Sequence, residues 1–277
     1  MEKPMAFTKP ATAISALVCL ALSATAYADT SDIKTSNNQL GFQFISTNVD
    51  YTETYNGITL DTETSGVPGN AISISLMKDL WFGNDYIEAE YDYSSGNTKY
   101  VGGYIGPPAT PYGSVTGTSG ATLTDYSARY GIGQIINYTD DESADDLMLT
   151  YFAELGHHEW DRGVNLGETY THNHFGIGVL CQYSPASRLV LSANAMIGIT
   201  FGSNIDVVGF FSGALGNSTL YRAGVSADYA FVQNLHGNVG VEYTSFDYGI
   251  SAVYGGYLEP DSTTNYTTVR VGLGYAF

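Results

Sequence analysis

Four side chains are spaced so that they could share a metal ion. Glu154 and His158 lie four residues apart, and His172 and His174 lie two apart. On an extended chain, residues separated by an even number project from one face. Each pair therefore shares a face, and an antiparallel neighbour can bring the two pairs together. Three imidazoles and a carboxylate suit zinc or copper. The same groups also serve as hydrogen-bonding filler inside a closed wall, the commoner fate of such residues. No metal or other cofactor is expected, and His158, His172 and His174 are carried forward only as a rim cluster.

A larger set of charges follows the same rule. Glu88, Glu90 and Asp92 alternate with Ile87, Ala89, Tyr91 and Tyr93. Arg129, Glu154, Arg222, Asp228, Glu242 and Arg270 sit in comparable alternating runs. Charges gathered on the inner face of a narrow wall must be paired or hydrated. Three arginines tied to six carboxylates would plug and brace such an interior. A water-filled version, with acids in excess, would prefer cations.

These residues need elements to hold them, and the alternation defines ten segments. They run about 40–51, 71–81, 86–93, 123–138, 147–158, 170–183, 189–201, 219–231, 238–248 and 269–277. Residues 219–231 are the cleanest: Tyr221, Ala223, Val225, Ala227, Tyr229 and Phe231 alternate with Arg222, Gly224, Ser226 and Asp228. The segment 238–248 slips phase near Ser245, as a bulge would make it do. The connections 52–70, 94–122, 159–169, 202–218 and 249–263 are long, and 82–85, 139–146, 184–188 and 232–237 are short. Segments of about ten residues joined by alternately long and short loops are the pattern of a transmembrane barrel. Trp81, Tyr138, Tyr183, Phe231, Tyr275 and Phe277 fall at one end of the segments. Tyr93, Tyr126, Phe201, Tyr221 and Tyr243 fall at the other, as interfacial girdles require.

The fold class is therefore all-β: a transmembrane antiparallel up-and-down barrel of ten strands, with eight as the alternative count. At the N-terminus, Lys3 and Lys9 precede an apolar run, and Ala26-Tyr27-Ala28 fits a cleavage site. Residues 1–28 read as a signal peptide and 29–277 as the barrel. Cleavage removes Lys3, Lys9 and Glu2, one net positive charge, and takes the formal charge from −18 to −19. Such a surface repels nucleic acid and favours cations. Cys181 is the single cysteine left, so no intramolecular disulfide can form.

The last nine residues, Val269-Arg270-Val271-Gly272-Leu273-Gly274-Tyr275-Ala276-Phe277, end an amphipathic strand on an aromatic residue. This end, with the alternation and the loop pattern, resembles the porin-like family of small Gram-negative outer-membrane β-barrel proteins. The resemblance implies a location in the outer membrane, contact with its lipid, and recognition of the C-terminal strand by the barrel assembly machinery. Function is expected to be non-enzymatic: a charge-plugged barrel with structural or surface roles, its long loops meeting an extracellular ligand or host surface. The alternatives are a narrow cation-preferring channel for small solutes and a membrane hydrolase. An omptin-like protease needs paired Asp residues facing a His-Asp pair above the rim. The run His157-His158-Glu159-Trp160-Asp161-Arg162 supplies histidines and acids at a rim, but no facing Asp pair is identified. A lipid-modifying hydrolase needs a Ser beside an outward His, and none is evident beside His157. The acidic run from Asp140 to Asp146 lacks the spacing and glycine of a calcium loop and reads as a solvated turn.

Overall fold

Every wall strand is longer than a bilayer requires. In the computed structural model, the structure describes residues 30–103, 110–136 and 147–277. The proposed signal peptide, Tyr104, Pro107, Pro108, Tyr138 and the run Asp140–Asp146 lie outside the described residues. A short helix, α1 (Thr30–Ser36), precedes β1 (Gln39–Tyr55), β2 (Ile58–Lys78), β3 (Asp85–Gly102), β4 (Val115–Ile136), β5 (Leu147–Arg162) and β6 (Glu168–Ala186). Then follow β7 (Leu189–Val207), β8 (Phe211–Ala214), β9 (Thr219–Val232), β10 (Leu235–Tyr248) and β11 (Asp261–Ala276). Ten of these strands pair antiparallel with their neighbours, and β1 pairs with β11 from Gln39↔Ala276 to Thr54↔Asp261, closing the barrel. The four-residue β8 is a flap on the end of β7.

The expected long loops at 52–70 and 94–122 are mostly wall. Asn56 and Gly57 both take positive φ, 53° and 78°, between β1 and β2. This is the two-residue turn that matches strand twist, so β2 runs for 21 residues instead of starting at Ala71. Residues 94–102 of β3 likewise pair with 115–123 of β4. A strand crosses a bilayer in about 9–11 residues; β1, with 17, extends well beyond it.

The two ends of each strand obey opposite rules. On β1 the outward Leu40, Phe42 and Phe44 are exposed, while Gly41 and Gln43 point inward. Farther along, the outward residues become Ser46, Asn48 and Asp50, and the inward ones Val49 and Tyr51. On β11 the outward series passes from Leu273, Val271 and Val269 to Thr267, Asn265 and Thr263. The apolar outer band faces lipid, and the polar walls above it stand in water. The β6–β7 and β9–β10 turns at the end with the termini have two residues each, whereas the β3–β4 and β10–β11 connections at the other end have twelve each, and this makes the end with the termini periplasmic in spite of the tight β1–β2 turn. The phase slip expected near Ser245 is absent. β10 keeps its register with β11 throughout. Phe246 and Tyr248 point inward because the interior turns apolar there.

The girdle residues Trp81, Phe231, Tyr275 and Phe277 are exposed at the periplasmic end, but Tyr183 is buried. Tyr93, Tyr126, Phe201, Tyr221 and Tyr243 are exposed at the other edge of the band. In the periplasmic turn before β3, one carboxylate oxygen of Asp85 accepts the backbone N–H groups of Leu80, Trp81 and Phe82 at 2.8–3.1 Å, and the other accepts Tyr130 O–H at 2.6 Å. The tyrosine bond and the three amides hold the Asp85 carboxyl well below the usual carboxylate range.

Candidate functional site

The interior is occupied from bottom to top in four tiers. At the periplasmic mouth lies α1, with Ile33 fully buried. Just beyond it, Asn37 exchanges hydrogen bonds with Gln182 on β6 (2.7 and 3.1 Å). Asn38 pairs with the backbone of Met77 through its N–H and C=O, both at 3.1 Å. Amide side chains thus tie the segment to opposite walls. Alternation could not reveal this plug, since residues 30–38 lie outside every alternating segment.

The second tier is the charge belt. Cross-strand register sets Glu88, Arg129 and Glu154 in one row over β3, β4 and β5. Arg129 donates to Glu88 at 3.0 Å and to Glu154. Arg222 donates to Glu154 at 2.6 Å and lies 3.6 Å from Glu242. Arg270 meets Glu90 at 2.9 Å, Asp92 at 2.7 Å and Glu242 at 3.8 Å. Eight of the nine charges expected in the lumen therefore form one linked belt, with Glu154 bridging two guanidinium groups. Asp228 stands apart near the periplasmic end, where it pairs with His236 at 2.6 Å and accepts from Gln39 at 3.1 Å.

Above the belt the three rim histidines stand in file, their rings tilted against one another. The rings of His158 and His172 are 5.1 Å apart, and those of His172 and His174 are 6.1 Å apart. Each nevertheless turns to a different partner. His158 reaches Asp125 through Nδ1 (2.7 Å) and Tyr266 through Nε2 (3.2 Å). His172 meets the Tyr248 hydroxyl at 2.7 Å, and His174 meets Glu154 at 2.8 Å. Among the described residues, no group of three or more His, Cys, Asp or Glu is arranged to hold a metal ion. A cavity of about 50 Å³ separates this tier from the belt, and one of about 190 Å³ lies between belt and plug.

The fourth tier, which the sequence reading missed, lies above the apolar band. Arg162 at the end of β5 is fully buried among Tyr51, Trp160 and Tyr170, its guanidinium carbon 4.3, 5.1 and 5.6 Å from the three rings. It donates to Glu63 and Glu168 at 2.9 Å and to Asp61 at 3.4 Å. Tyr170 donates to Glu259 in the β10–β11 loop, and Tyr51 to Glu53 at 3.2 Å. Five buried carboxylates thus surround one cation. Burial, reinforced by Glu168, pushes the Glu259 carboxyl up to about 8. Burial also raises Asp61 to about 6 against the pull of Arg162, and raises Glu53, which Asp61 reinforces. The signal for this tier was present: Arg162 keeps the inward phase of Glu154 and His158 on one strand, and Asp61 and Glu63 share a face. Within the run His157–Arg162, His158 and Arg162 point into the barrel and Asp161 points out, and Asp61 and Glu63 face the Arg162 guanidinium.

No family model and no curated protein matches the sequence. Among solved structures, the chain is similar to the outer membrane protease OmpT from Escherichia coli. The TM-score is 0.50 and the identity 13%, over 87% of this chain and 98% of that one. It also aligns with the outer membrane protein OprG from Pseudomonas aeruginosa (TM-score 0.35, 13% identity, 87% and 98% covered). A third is the toluene transporter TodX from Pseudomonas putida (TM-score 0.33, 9% identity, 91% and 92% covered). The fold is that of the small Gram-negative outer-membrane barrels, and with the lipid-facing band it places the protein in the outer membrane.

Proposed function

We propose that the protein is a closed, non-enzymatic outer-membrane barrel that acts at the cell surface through its extracellular half. The observation that carries this reading is the succession of tiers across the lumen: the α1 plug, the belt centred on Glu154, and the packed aromatics around Arg162. Buried arginine–carboxylate bonds are costly to break one partner at a time, so the belt is suited to bracing rather than to transient opening. The engagement of Asp61 and Glu63 by Arg162 supports the non-enzymatic part, since it leaves neither acid free to serve as a base. The test is single-channel recording of the refolded chain in a planar bilayer. A silent bilayer is expected, with heat-modifiable migration verifying the folded barrel; stable, cation-selective steps would overturn the reading.

Those steps would instead favour a narrow cation-preferring channel. Its specific support is the belt's composition, five carboxylates to three arginines, beside a cavity of about 190 Å³.

A further inference from the structure

The extracellular tip carries apolar side chains that the barrel does not cover. Leu166, in the β5–β6 turn, is 82% exposed, and Val208, Phe210, Val253 and Tyr257 are each about half exposed or more. These residues come from three loops, yet the loops are joined. The Val208 N–H donates to the Gly167 carbonyl at 3.0 Å. The Phe210 ring meets the Tyr257 ring edge-on at 5.4 Å, and Phe211 stacks on Tyr254 at 6.0 Å. The result is one patch above the ends of β5, β6 and β7. Single exposed apolar residues need no explanation, but several gathered in one patch mark an interaction site.

Directly below the patch, the outward wall is acidic. Cross-strand register places Asp161, Thr169 and Asp206 in one row over β5, β6 and β7. Both carboxylates are exposed and stand two strand spacings apart, about 10 Å. Glu159 lies one outward row lower on β5. No cation accompanies them. Of the described lysines and arginines, Arg162 is buried inside the wall, and Lys99, on β3, is the exposed one in the extracellular half. This arrangement repels a second copy of the same acidic face, and it repels anionic lipid headgroups.

We infer that this tip is a docking surface for a cationic protein segment, one that seats an apolar side chain on Leu166, Val208, Phe210 and Tyr257 while its lysines or arginines meet Asp161, Asp206 and Glu159. The apolar anchor supplies the buried contact, and the acidic row supplies partner choice and encounter rate. The inference rests on the reading that the protein acts at the cell surface, and it names the chemistry of the partner.

The probe is a lysine-rich peptide bearing one tryptophan, with a glutamate-rich counterpart. Each is titrated against the full chain in nanodiscs of zwitterionic lipid, with empty nanodiscs as the baseline. The lysine peptide is expected to bind above baseline and to weaken as salt rises; the glutamate peptide is expected not to bind. Asp161→Asn with Asp206→Asn is expected to weaken binding about tenfold or more, and so is Leu166→Ser with Phe210→Ser. Ile58→Ser, at the exposed start of β2, is expected to leave it unchanged. Absence of lysine-peptide binding, equal binding of the glutamate peptide, or full affinity in the Asn pair would overturn the inference. The Asn pair alters only exposed side chains, so it remains informative should the serine pair fail to fold. Conductance steps in the same preparation would instead strike the closed-barrel reading and leave the tip's measured affinity as it stands.

Discussion

Along β11, one outward face meets two solvents. Val271 and Thr263 both point away from the barrel axis and both are exposed, yet one belongs in lipid and the other in water. The interior changes in step. In the membrane half it holds Arg270, Arg222 and Glu154; in the extracellular half it holds Tyr266, Tyr248 and Trp160. The lower half is inside-out, held by ion pairs that the lipid-facing wall shields from water. The upper half packs as a water-soluble β-protein does, around an aromatic core, and buries a single guanidinium in it. The strands are continuous, so the change of rule is imposed by the surroundings and not by a domain boundary.

The largest expected effect that separates the halves comes from Arg162→Met. It leaves Asp61, Glu63 and Glu168 buried without their counter-charge, a loss of about 3–5 kcal/mol. The damage is expected to be local: added protease cuts the extracellular walls while the membrane half keeps its heat-modifiable migration. Complete loss of that migration would show the two halves to be one cooperative unit. The same loss placed lower gives the converse. Glu154→Gln weakens the bridge between Arg129 and Arg222 and is expected to cost about 3 kcal/mol, read as a lower urea midpoint for the whole barrel.

A matched pair on β11 sharpens the comparison. Val271→Lys on the lipid face is expected to cost about 2–4 kcal/mol, whereas Thr263→Lys on the same face in water is expected to cost under about 0.5 kcal/mol. Equal costs in refolding titrations would remove the boundary drawn between them.

The pH response is smaller and confined to the top. Asp61 and Glu259 have folded values raised to about 6 and about 8, so the fold favours their protonated forms. Their contribution is therefore greatest below the ordinary carboxylate range near pH 4 and is lost as pH climbs through about 6 and then about 8. Hydrogen-exchange protection of the upper walls, taken relative to the intrinsic base-catalysed rate at each pH, is expected to be lower at about pH 9 than at about pH 5, and Glu259→Gln is expected to flatten the difference. An opposite slope would mean that these carboxylates ionise more readily in the fold than out of it.

Much of the barrel was legible because lipid gives alternation a single meaning. Where the outside is hydrocarbon, a run such as Tyr221 to Phe231 can be read directly into strand, face and lumen, and the belt residues follow from their phase. The upper walls were not legible in the same way. There the outward positions are mostly Thr, Ser, Asn and Asp, which look like loop, and the inward ones are a few spaced aromatics and charges. Asn56-Gly57 was the missed local signal, a turn whose positive φ at both positions allows β2 to begin at once. The three histidines stand side by side, but which way each ring turns depends on Asp125 on β4, Tyr248 on β10 and Glu154 on β5, each on a different strand from the ring it meets.

The sequence by itself determined the all-β class, the lipid-facing side and the charges that line the membrane half, because each depends on spacing within one strand; it favoured ten strands over eight, and the closed pairing of β1 with β11 decided between them. Only the tertiary structure decided how far the walls rise, that α1 closes the periplasmic mouth, and that Arg162 draws in acids from β2 and β6. Those outcomes depend on contacts between segments as much as 145 residues apart, and on what each face meets once the barrel is closed.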